Sequence, residues 1–269
     1  MQGRRYGILD GVRGFTVLSM VLYHACWDLV HLAGRPWDWF QGTGAYVWQQ
    51  SICWVFIFLA GLCFNLGRRH VRRGLELLSL GAVITGLTWL CLPRDAIFFG
   101  ILFFLGAATL ITVCLKPLLV KLPAVPGLGL SALLFVVLRN VNSGTLGFET
   151  WQWLPLPAAW YELGYAGSFL GFTAAGFRSA DYFPLLPWLF LYLTGYFAGR
   201  NWLAPQGGSV LGETVTSDGA GNGSTAARIT EAEISPAWCR SLQRAGRHAL
   251  GIYLVHQPLL LVLLWLLGS

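Results

Sequence analysis

ILDGVRGFTVLSMVLYHACWDLVHL is the sequence of residues 8–32, an apolar stretch long enough to cross a bilayer that nevertheless carries ionisable side chains along its length. These side chains are Asp10, Arg13, His24 and Asp28. At about 100° and about 1.5 Å per residue, they fall on one arc of roughly 60° and extend about 27 Å along a helix. Because a charge near the bilayer centre costs about 2.5–3.5 kcal/mol on insertion scales, we expect this polar stripe to face a helix bundle or a cavity rather than lipid.

The composition of the whole chain is that of a membrane protein. Hydrophobic residues make up 55% of the 269 residues and charged residues only 11%, against about 25% charged in soluble domains. The apolar runs are too numerous for a cleaved signal peptide, so we predict a multi-pass integral membrane protein whose partner is the lipid bilayer and not a nucleic acid. The 6 cysteines are scattered without metal-ligand spacing, and neither a metal site nor a disulfide framework is expected.

Hydropathy predicts an all-α fold, a polytopic bundle of about seven transmembrane helices formed by a single domain over residues 1–269. The region 163–177 is apolar, rich in glycine and interrupted, which favours a short or re-entrant extra segment over a full crossing. The predicted spans are roughly 8–32, 46–67, 75–93, 97–115, 126–141, 183–200 and 248–267.

The basic residues predict the orientation of these spans. With the N-terminus in the cytoplasm, 13 of the 18 lysines and arginines fall on the cytoplasmic side, as the positive-inside rule favours. Arg13 lies within the first span. The exceptions that fall outside are Arg35, Arg94, Arg139 and Arg178. We therefore expect a cytoplasmic N-terminus.

Two loops have distinctive compositions. Residues 205–237 are rich in Gly, Ser, Thr, Ala and acidic side chains, which is typical of a flexible linker, here on the cytoplasmic side. Residues 140–182, on the outer side, are dense in aromatic side chains. These aromatics suit either an interfacial belt or a surface on which flat rings stack against sugars, and both interpretations remain open.

His24 and Asp28 are separated by one helical turn near the outer end of the first span. A carboxylate beside an imidazole orients the ring and raises the basicity of its other nitrogen, which is how a general base is prepared. The pair is therefore predicted to be catalytic. The alternative is a polar contact that joins two helices.

Arg13 lies about two turns inside the cytoplasmic boundary, three residues after Asp10. Guanidinium binds phosphate bidentately, so a phosphate-bearing ligand entering from the cytoplasm is a natural partner for Arg13. The alternative is an ion pair with Asp10, and the two are compatible if Asp10 positions Arg13.

His256 and Gln257 precede Pro258 within the last span. Proline lacks an N–H and leaves the carbonyl of Leu254 without its helical partner, so polar side chains at this point can serve either packing or a ligand. We assign His256 and Gln257 to the binding of the donor ligand as a prediction.

Several motifs resemble those of a known family. The first is RYGILDGVRG at residues 5–14, followed by Tyr23-His24. Together they resemble the opening of the heparan-α-glucosaminide N-acetyltransferase-like membrane proteins, and the Arg13-to-His24 spacing is similar to that of the wider superfamily containing the acyltransferase-3 proteins. Further similar segments are WVFIFLAG at 54–61, FGIL at 99–102, SADYFPLLPW at 179–188 and LGIYLVHQP at 250–258.

The resemblance implies that acetyl-CoA is the acyl donor and that its acetyl group passes to an amine or hydroxyl of a glycan or other cell-envelope component across the membrane. His24 would act as a general base, or as a nucleophile that forms an acetyl-imidazole. Asp181 and Tyr182 would orient the acceptor or stabilise an oxyanion, unless Asp181 caps the helix before Pro184. Trp27 is a further predicted acceptor contact.

A transporter or flippase without acyl transfer is the main alternative, because buried charges and a proline within the last helix are also typical of solute pathways. No inverted repeat favours it. The expected location is a bacterial cytoplasmic membrane, and a homo-oligomer remains open.

Overall fold

The computed structural model describes residues 7–203 and 237–266. The chain divides into two compact units. The first combines residues 1–53 with residues 204–269, and the second comprises residues 54–203. The predicted linker at 205–237 lies outside the described residues, apart from Ala237, which begins a helix.

The first unit is built from helices at the two ends of the chain. A short 3-10 helix, Asp38–Gln41, precedes α2 (Thr43–Phe64). The boundary between the two units falls within α2, after Cys53. The helices are α1 (Gly7–His31), the first part of α2 (Thr43–Phe64), α8 (Ala237–Arg247) and α9 (Ala249–Leu266).

Helix α1 exposes one apolar side and packs with the other. Ile8, Phe15 and Leu22 lie on the exposed side, Ile8 with 77% exposure, as expected for a lipid-facing surface. Val17 and Asp28 are fully buried, on sides of the helix that pack within the protein. The predicted bounds of this span, 8–32, are correct to within one residue at each end. The exposure pattern also agrees with the expectation that the polar stripe faces away from lipid.

Helix α8 was not predicted. It crosses α1 with the two backbones in contact, because a Cβ at Gly14 would overlap the carbonyl oxygen of Leu242 and a Cβ at Gly246 would overlap that of Asp10. Glycine at both positions permits this close approach, as in other tight helix pairs in membranes.

The second unit contains the remaining helices. Helix α6 (Gly164–Leu170) lies in the region 163–177 and has only 7 residues. It rises about 10 Å, a third of the hydrocarbon thickness, so it is too short to cross a bilayer. The helices are the rest of α2, α3 (His70–Cys91), α4 (Ile101–Leu119), α5 (Ala124–Val137), α6 (Gly164–Leu170) and α7 (Leu185–Trp202).

Glycines also set the closest helix contacts of this unit. Gly61 of α2 meets the backbone of Tyr192 on α7, and Gly195 of α7 meets the backbone of Phe58 on α2. Glycine at both positions permits this close contact between the two helices. Helices α3 and α4 approach similarly where Gly106 lies against the backbone of α3.

The side chain of Arg200 caps the C-terminal end of α4. Arg200 of α7 donates from Nη1 to the carbonyl oxygens of Leu119 (2.7 Å) and Leu122 (3.0 Å), and from Nη2 to that of Val120 (3.3 Å). These carbonyls have no helical partners, and a cation is electrostatically favoured at this end of a helix.

The all-α prediction needs one correction, since a two-stranded antiparallel hairpin follows α5. Its strands are β1 (Thr145–Phe148) and β2 (Trp151–Pro155). Arg139 anchors the turn through an ion pair with Glu149, Nε to Oε1 at 3.0 Å, and lies 4.9 Å from the ring centroid of Trp188. The strands were missed because β1 has only 4 residues and is interrupted by a register shift at Gly147.

Five described helices are long and apolar enough to cross a membrane, so the chain is a polytopic helical membrane protein. The other two predicted spans, α1 and α7, are helices of 25 and 18 residues whose polar side chains lower their hydropathy. The five candidate spans are Thr43–Phe64, His70–Cys91, Ile101–Leu119, Ala124–Ser143 and Ala249–Leu266.

Candidate functional site

Contacts between α1 and the pair α8–α9 form the candidate site, which lies wholly within the first unit. Gln243 of α8 approaches Gly7, while His256 of α9 approaches His24. Helix α8 contacts the first half of α1, at Gly7 and Gly14, and α9 contacts the second half, at His24 and Asp28. As a result, residues more than 200 positions apart in the sequence meet along the polar stripe.

His24 and His256 lie side by side. Their ring centroids are 5.0 Å apart with an interplanar angle of 58°. His256 is buried, and its Nδ1 lies 2.6 Å from the carbonyl oxygen of Tyr253. A carbonyl can only accept, so Nδ1 of His256 is the donor and, in the neutral ring, Nε2 carries the lone pair. The backbone thus sets the tautomer that leaves Nε2 able to accept a proton.

Asp28 is bound differently from the prediction. Its side chain is buried, with 1% exposure of the residue, and both carboxylate oxygens accept hydrogen bonds from Nε2 of Gln257, at 3.0 and 3.2 Å. Within residues 7–203 and 237–266, no hydrogen bond joins Asp28 to His24. Asp28 therefore joins α1 to α9, which is the helix-linking alternative, while it remains one turn from His24 on the same stripe.

Gln257 leaves a polar atom unsatisfied next to these residues. Its amide nitrogen is used by Asp28, but its Oε1 is buried and has no hydrogen-bond partner. A buried acceptor without a partner is uncommon in folded proteins and calls for an explanation such as a ligand or an ordered water. An amine or hydroxyl could donate to this oxygen.

Arg13 and Asp10 form the ion pair that was one of the two predictions for them. Nη1 of Arg13 lies 3.2 Å from Oδ1 of Asp10, and both side chains retain about a fifth of their exposure. Arg13 is about 16 Å along α1 from His24, at about 1.5 Å per residue. Because a guanidinium has five N–H donors, this pairing is compatible with the binding of a second anion.

Trp27 lies at the edge of the first unit. Its ring is partly exposed and stacks on His31 with centroids 4.5 Å apart. The Nδ1 of His31 is bonded to the Trp27 carbonyl oxygen at 3.0 Å. This ring could stack against a sugar, as the prediction requires.

Asp181 and Tyr182 belong to the second unit and have structural partners there. Oδ2 of Asp181 accepts from the backbone N–H of Ile101 at 3.0 Å, so this carboxylate caps α4 and not the helix that follows Pro184. Burial raises the pKa of Tyr182 above its ordinary value, and its protonated hydroxyl donates to the carbonyl oxygen of Ser168. The alternative prediction that Asp181 caps a helix is therefore correct, but the helix that it caps is α4 and not the one that follows Pro184.

The segment before α4 is held in an unusual conformation by this contact. Phe99 has φ of 54°, in the left-handed region that non-glycine residues rarely adopt. Ser179 accepts from the N–H of Phe98 at 3.0 Å, and Phe183 donates its N–H to the carbonyl oxygen of Phe99 at 2.9 Å. Residues that are strained in this way persist when their surroundings hold them.

The aromatic residues in and around the 140–182 region divide into two groups. Trp151 and Trp153 on β2 are exposed, whereas Phe99, Phe169 and Phe177 pack on one another. The interfacial-belt and sugar-stacking interpretations both apply only to the exposed group.

The main contributors that the sequence did not reveal are on α8 and around His256. Cys239, Leu242 and Ala245 recur at intervals of three residues, as on one side of an amphipathic helix, a signal that could have identified α8. Tyr253 contributes its backbone oxygen, a contact that no sequence pattern indicates. In the part of the chain that the structure describes, no cluster of three or more His, Cys, Asp or Glu could hold a metal ion.

Comparison with known proteins gives one match. The family model described as heparan-alpha-glucosaminide N-acetyltransferase, catalytic, covers residues 5–258. No curated protein and no solved structure matches the chain.

Proposed function

The chain belongs to the heparan-alpha-glucosaminide N-acetyltransferase catalytic family, and on this premise we propose that it transfers the acetyl group of acetyl-CoA across a membrane. The donor binds from the cytoplasmic side, and the acceptor is an amine or hydroxyl of a glycan or envelope component on the opposite side. The N-terminus is cytoplasmic, seven helices cross the bilayer, and the membrane is the cytoplasmic membrane of a bacterium.

The observation that carries this proposal is the pair of adjacent imidazoles, His24 and His256, beside the unsatisfied Oε1 of Gln257. Acyl transfer needs a base to remove a proton from the acceptor and a hydrogen-bond acceptor to orient its N–H or O–H. The two histidines supply the first and Gln257 supplies the second, so this proposal replaces the sequence-based assignment of His256 and Gln257 to the donor. Adjacent imidazoles also occur in the proton relays of transporters, so release of thiol from acetyl-CoA is the property that distinguishes the two functions.

The reaction can be written with the residues of this site. The acceptor hydrogen-bonds to Gln257, an imidazole nitrogen of the pair takes the acceptor proton, and the acceptor atom attacks the thioester carbon. The carbon–sulfur bond breaks, and the imidazolium returns its proton to the thiolate. In the two-step variant, a nitrogen of His24 attacks the thioester carbon and expels the thiolate of the donor. The acceptor atom then attacks the acetyl-imidazole, its bond to the ring nitrogen breaks, and the acceptor proton passes to the freed nitrogen.

Asp28 and Arg13 have supporting roles. The carboxylate of Asp28, buried one turn from His24, stabilises the imidazolium that forms during transfer. Arg13, held by Asp10, binds a phosphate of the donor nearer the cytoplasmic boundary. Trp27 is a proposed contact of the acceptor, whereas Asp181 and Tyr182 hold structural contacts within the second unit.

The experiment is a thiol-release assay on the purified full-length protein in nanodiscs with acetyl-CoA, with and without glucosamine as the probe acceptor. His24→Ala should lower thiol release by about 10²–10⁴-fold, the usual contribution of a general base. His248→Ala is the matched control, because His248 is an exposed histidine of the same unit outside the site, and it should keep the wild-type rate. Wild-type release by His24→Ala protein would exclude this mechanism.

A further inference from the structure

An open surface cavity of about 300 Å³ lies within the second unit, and four of its seven lining residues are basic. Arg68 and Arg69 come from the connection between α2 and α3, and Arg72 comes from the first turn of α3. Lys116 comes from the last turn of α4, and His70 completes the polar lining. This volume is at the lower end of the range of about 300–1,000 Å³ for ligand pockets, enough for a small anionic group.

The charges around this cavity are poorly balanced. Glu76 accepts from Nε of Arg72 at 2.7 Å, through an exposed pair. Among the described residues, no carboxylate forms a salt bridge with Arg68, Arg69 or Lys116. Like charges gathered around one cavity repel each other, and a bound anion would convert that repulsion into attraction.

The N-terminus of α3 adds to this preference for an anion. Arg69 is the N-cap residue, but no side chain caps the helix and its first turn contains no acidic residue. The first N–H groups of a helix are natural anion donors, and the helix dipole favours negative charge there. The backbone and the arginines therefore present donors in the same place.

The walls of the cavity are ordered. The ring of His70 stacks on Phe64 with centroids 3.9 Å apart and an interplanar angle of 13°. Gly74 and Gly106 bring α3 and α4 into close contact directly beside it. The helices behind the arginines are therefore fixed, whereas Arg68, Arg69 and Arg72 are exposed and lose side-chain freedom when a ligand binds.

We propose that this basic cavity is a binding site for a phosphorylated ligand, with the arginines and the first turn of α3 as donors to phosphate oxygens. Guanidinium recognises phosphate through paired N–H donors, which fits the three arginines of the lining. Either a soluble phosphate compound or the headgroup of an anionic lipid can supply this chemistry. The site uses no residue of the imidazole pair and no acetyl group.

The test measures binding of inorganic pyrophosphate to the full-length protein in phosphatidylcholine nanodiscs. The double variant Arg68→Gln/Arg69→Gln should bind pyrophosphate at least about tenfold more weakly, since hydrogen bonds to charged groups are lost. The matched control is Arg94→Gln/Arg178→Gln, which removes the same charge from two exposed arginines of the same unit outside the cavity. Its affinity should stay within about twofold of wild type. Glu76→Gln should bind equally or more tightly because it frees Arg72.

A second arm distinguishes the two sources of phosphate, with the unliganded melting temperature of each variant measured as a folding check. If phosphatidylglycerol in the nanodisc displaces pyrophosphate, the natural ligand is a lipid headgroup; if pyrophosphate binds equally well, the ligand is soluble. Equal weakening by both double variants would overturn the proposal, as would the absence of pyrophosphate binding together with no response to phosphatidylglycerol. These readouts contain no acetyl-CoA, so they are independent of the proposed transferase activity.

Discussion

Asp28 shows at the residue scale how the polar stripe is used. Its two oxygens bind Gln257 from the last helix while the charge remains buried beside the imidazoles. Asp28→Asn keeps an oxygen that can accept from Gln257 and adds an amide that can donate to the unsatisfied Oε1. We therefore expect nearly unchanged thermal stability and a kcat lowered at least about tenfold, because the imidazolium loses its stabilising charge.

Asp28→Ala provides the comparison for that prediction. It should lower both kcat and the melting temperature, since the amide of Gln257 then loses its partner in a buried place, at a cost of about 1–3 kcal/mol. If Asp28→Asn retained the wild-type kcat, the carboxylate would have only the role of joining α1 to α9.

The sequence allowed the polar residues of α1 to be predicted because helical spacing alone places them on one side of one helix. It could not predict that Gln257 binds Asp28, because the two residues are 229 positions apart and meet only when α9 packs on α1. The tautomer of His256 was equally beyond prediction, since it depends on a backbone oxygen.

At the scale of the helices, the crossing of α1 and α8 depends on glycine. A Cβ at Gly14 would overlap the carbonyl oxygen of Leu242, which belongs to backbone and cannot rotate away. We expect Gly14→Ala to lower the free energy of unfolding by about 1–3 kcal/mol, the usual cost of overpacking, as measured by thermal or denaturant unfolding in detergent.

Gly251→Ala is the control for this effect, because the same substitution in α9 meets no atom within 4 Å. Alanine is the better helix former by about 1 kcal/mol, so this variant should be equally stable or more stable. Equal destabilisation by both variants would show that backbone contact is not what holds α8 against α1.

The cap of α4 is a second test of an element. Asp181→Ala removes the acceptor of the Ile101 N–H and should lower the free energy of unfolding by about 0.5–2 kcal/mol, whereas Asp181→Asn keeps an acceptor oxygen and should lose less. Thermal unfolding of both variants beside wild type measures the difference. If the two variants were equally destabilised, the hydrogen bond to Ile101 would not be the reason.

The elements differed in how well they could be predicted. The long apolar helices were predicted to within a few residues because hydropathy alone determines them. Helix α8 was missed because its exposed side carries Arg240, Arg244 and Arg247, so hydropathy hides it. The hairpin was missed because strands this short hold together through Arg139 and Asn140, which lie outside them.

At the scale of the whole molecule, the proposal requires a defined orientation in the membrane. Single cysteines can be placed at Ser143 and Lys121, two exposed positions that the proposed topology assigns to opposite sides, after replacing the 6 native cysteines. An impermeant maleimide added to intact cells should label Ser143→Cys at once and Lys121→Cys only after permeabilisation. Labelling of Lys121→Cys in intact cells would reverse the orientation.

The most direct measurement of the central claim is thiol release from acetyl-CoA added outside sealed membrane vesicles of sorted orientation. Acetyl-CoA does not cross the bilayer, so the account predicts release by inside-out vesicles, which expose the cytoplasmic side, and almost none by right-side-out vesicles. His24→Ala should abolish release in the inside-out vesicles. Equal release in both orientations, or release at the wild-type rate by the His24→Ala protein, would contradict transfer of a cytoplasmic acetyl group by this site.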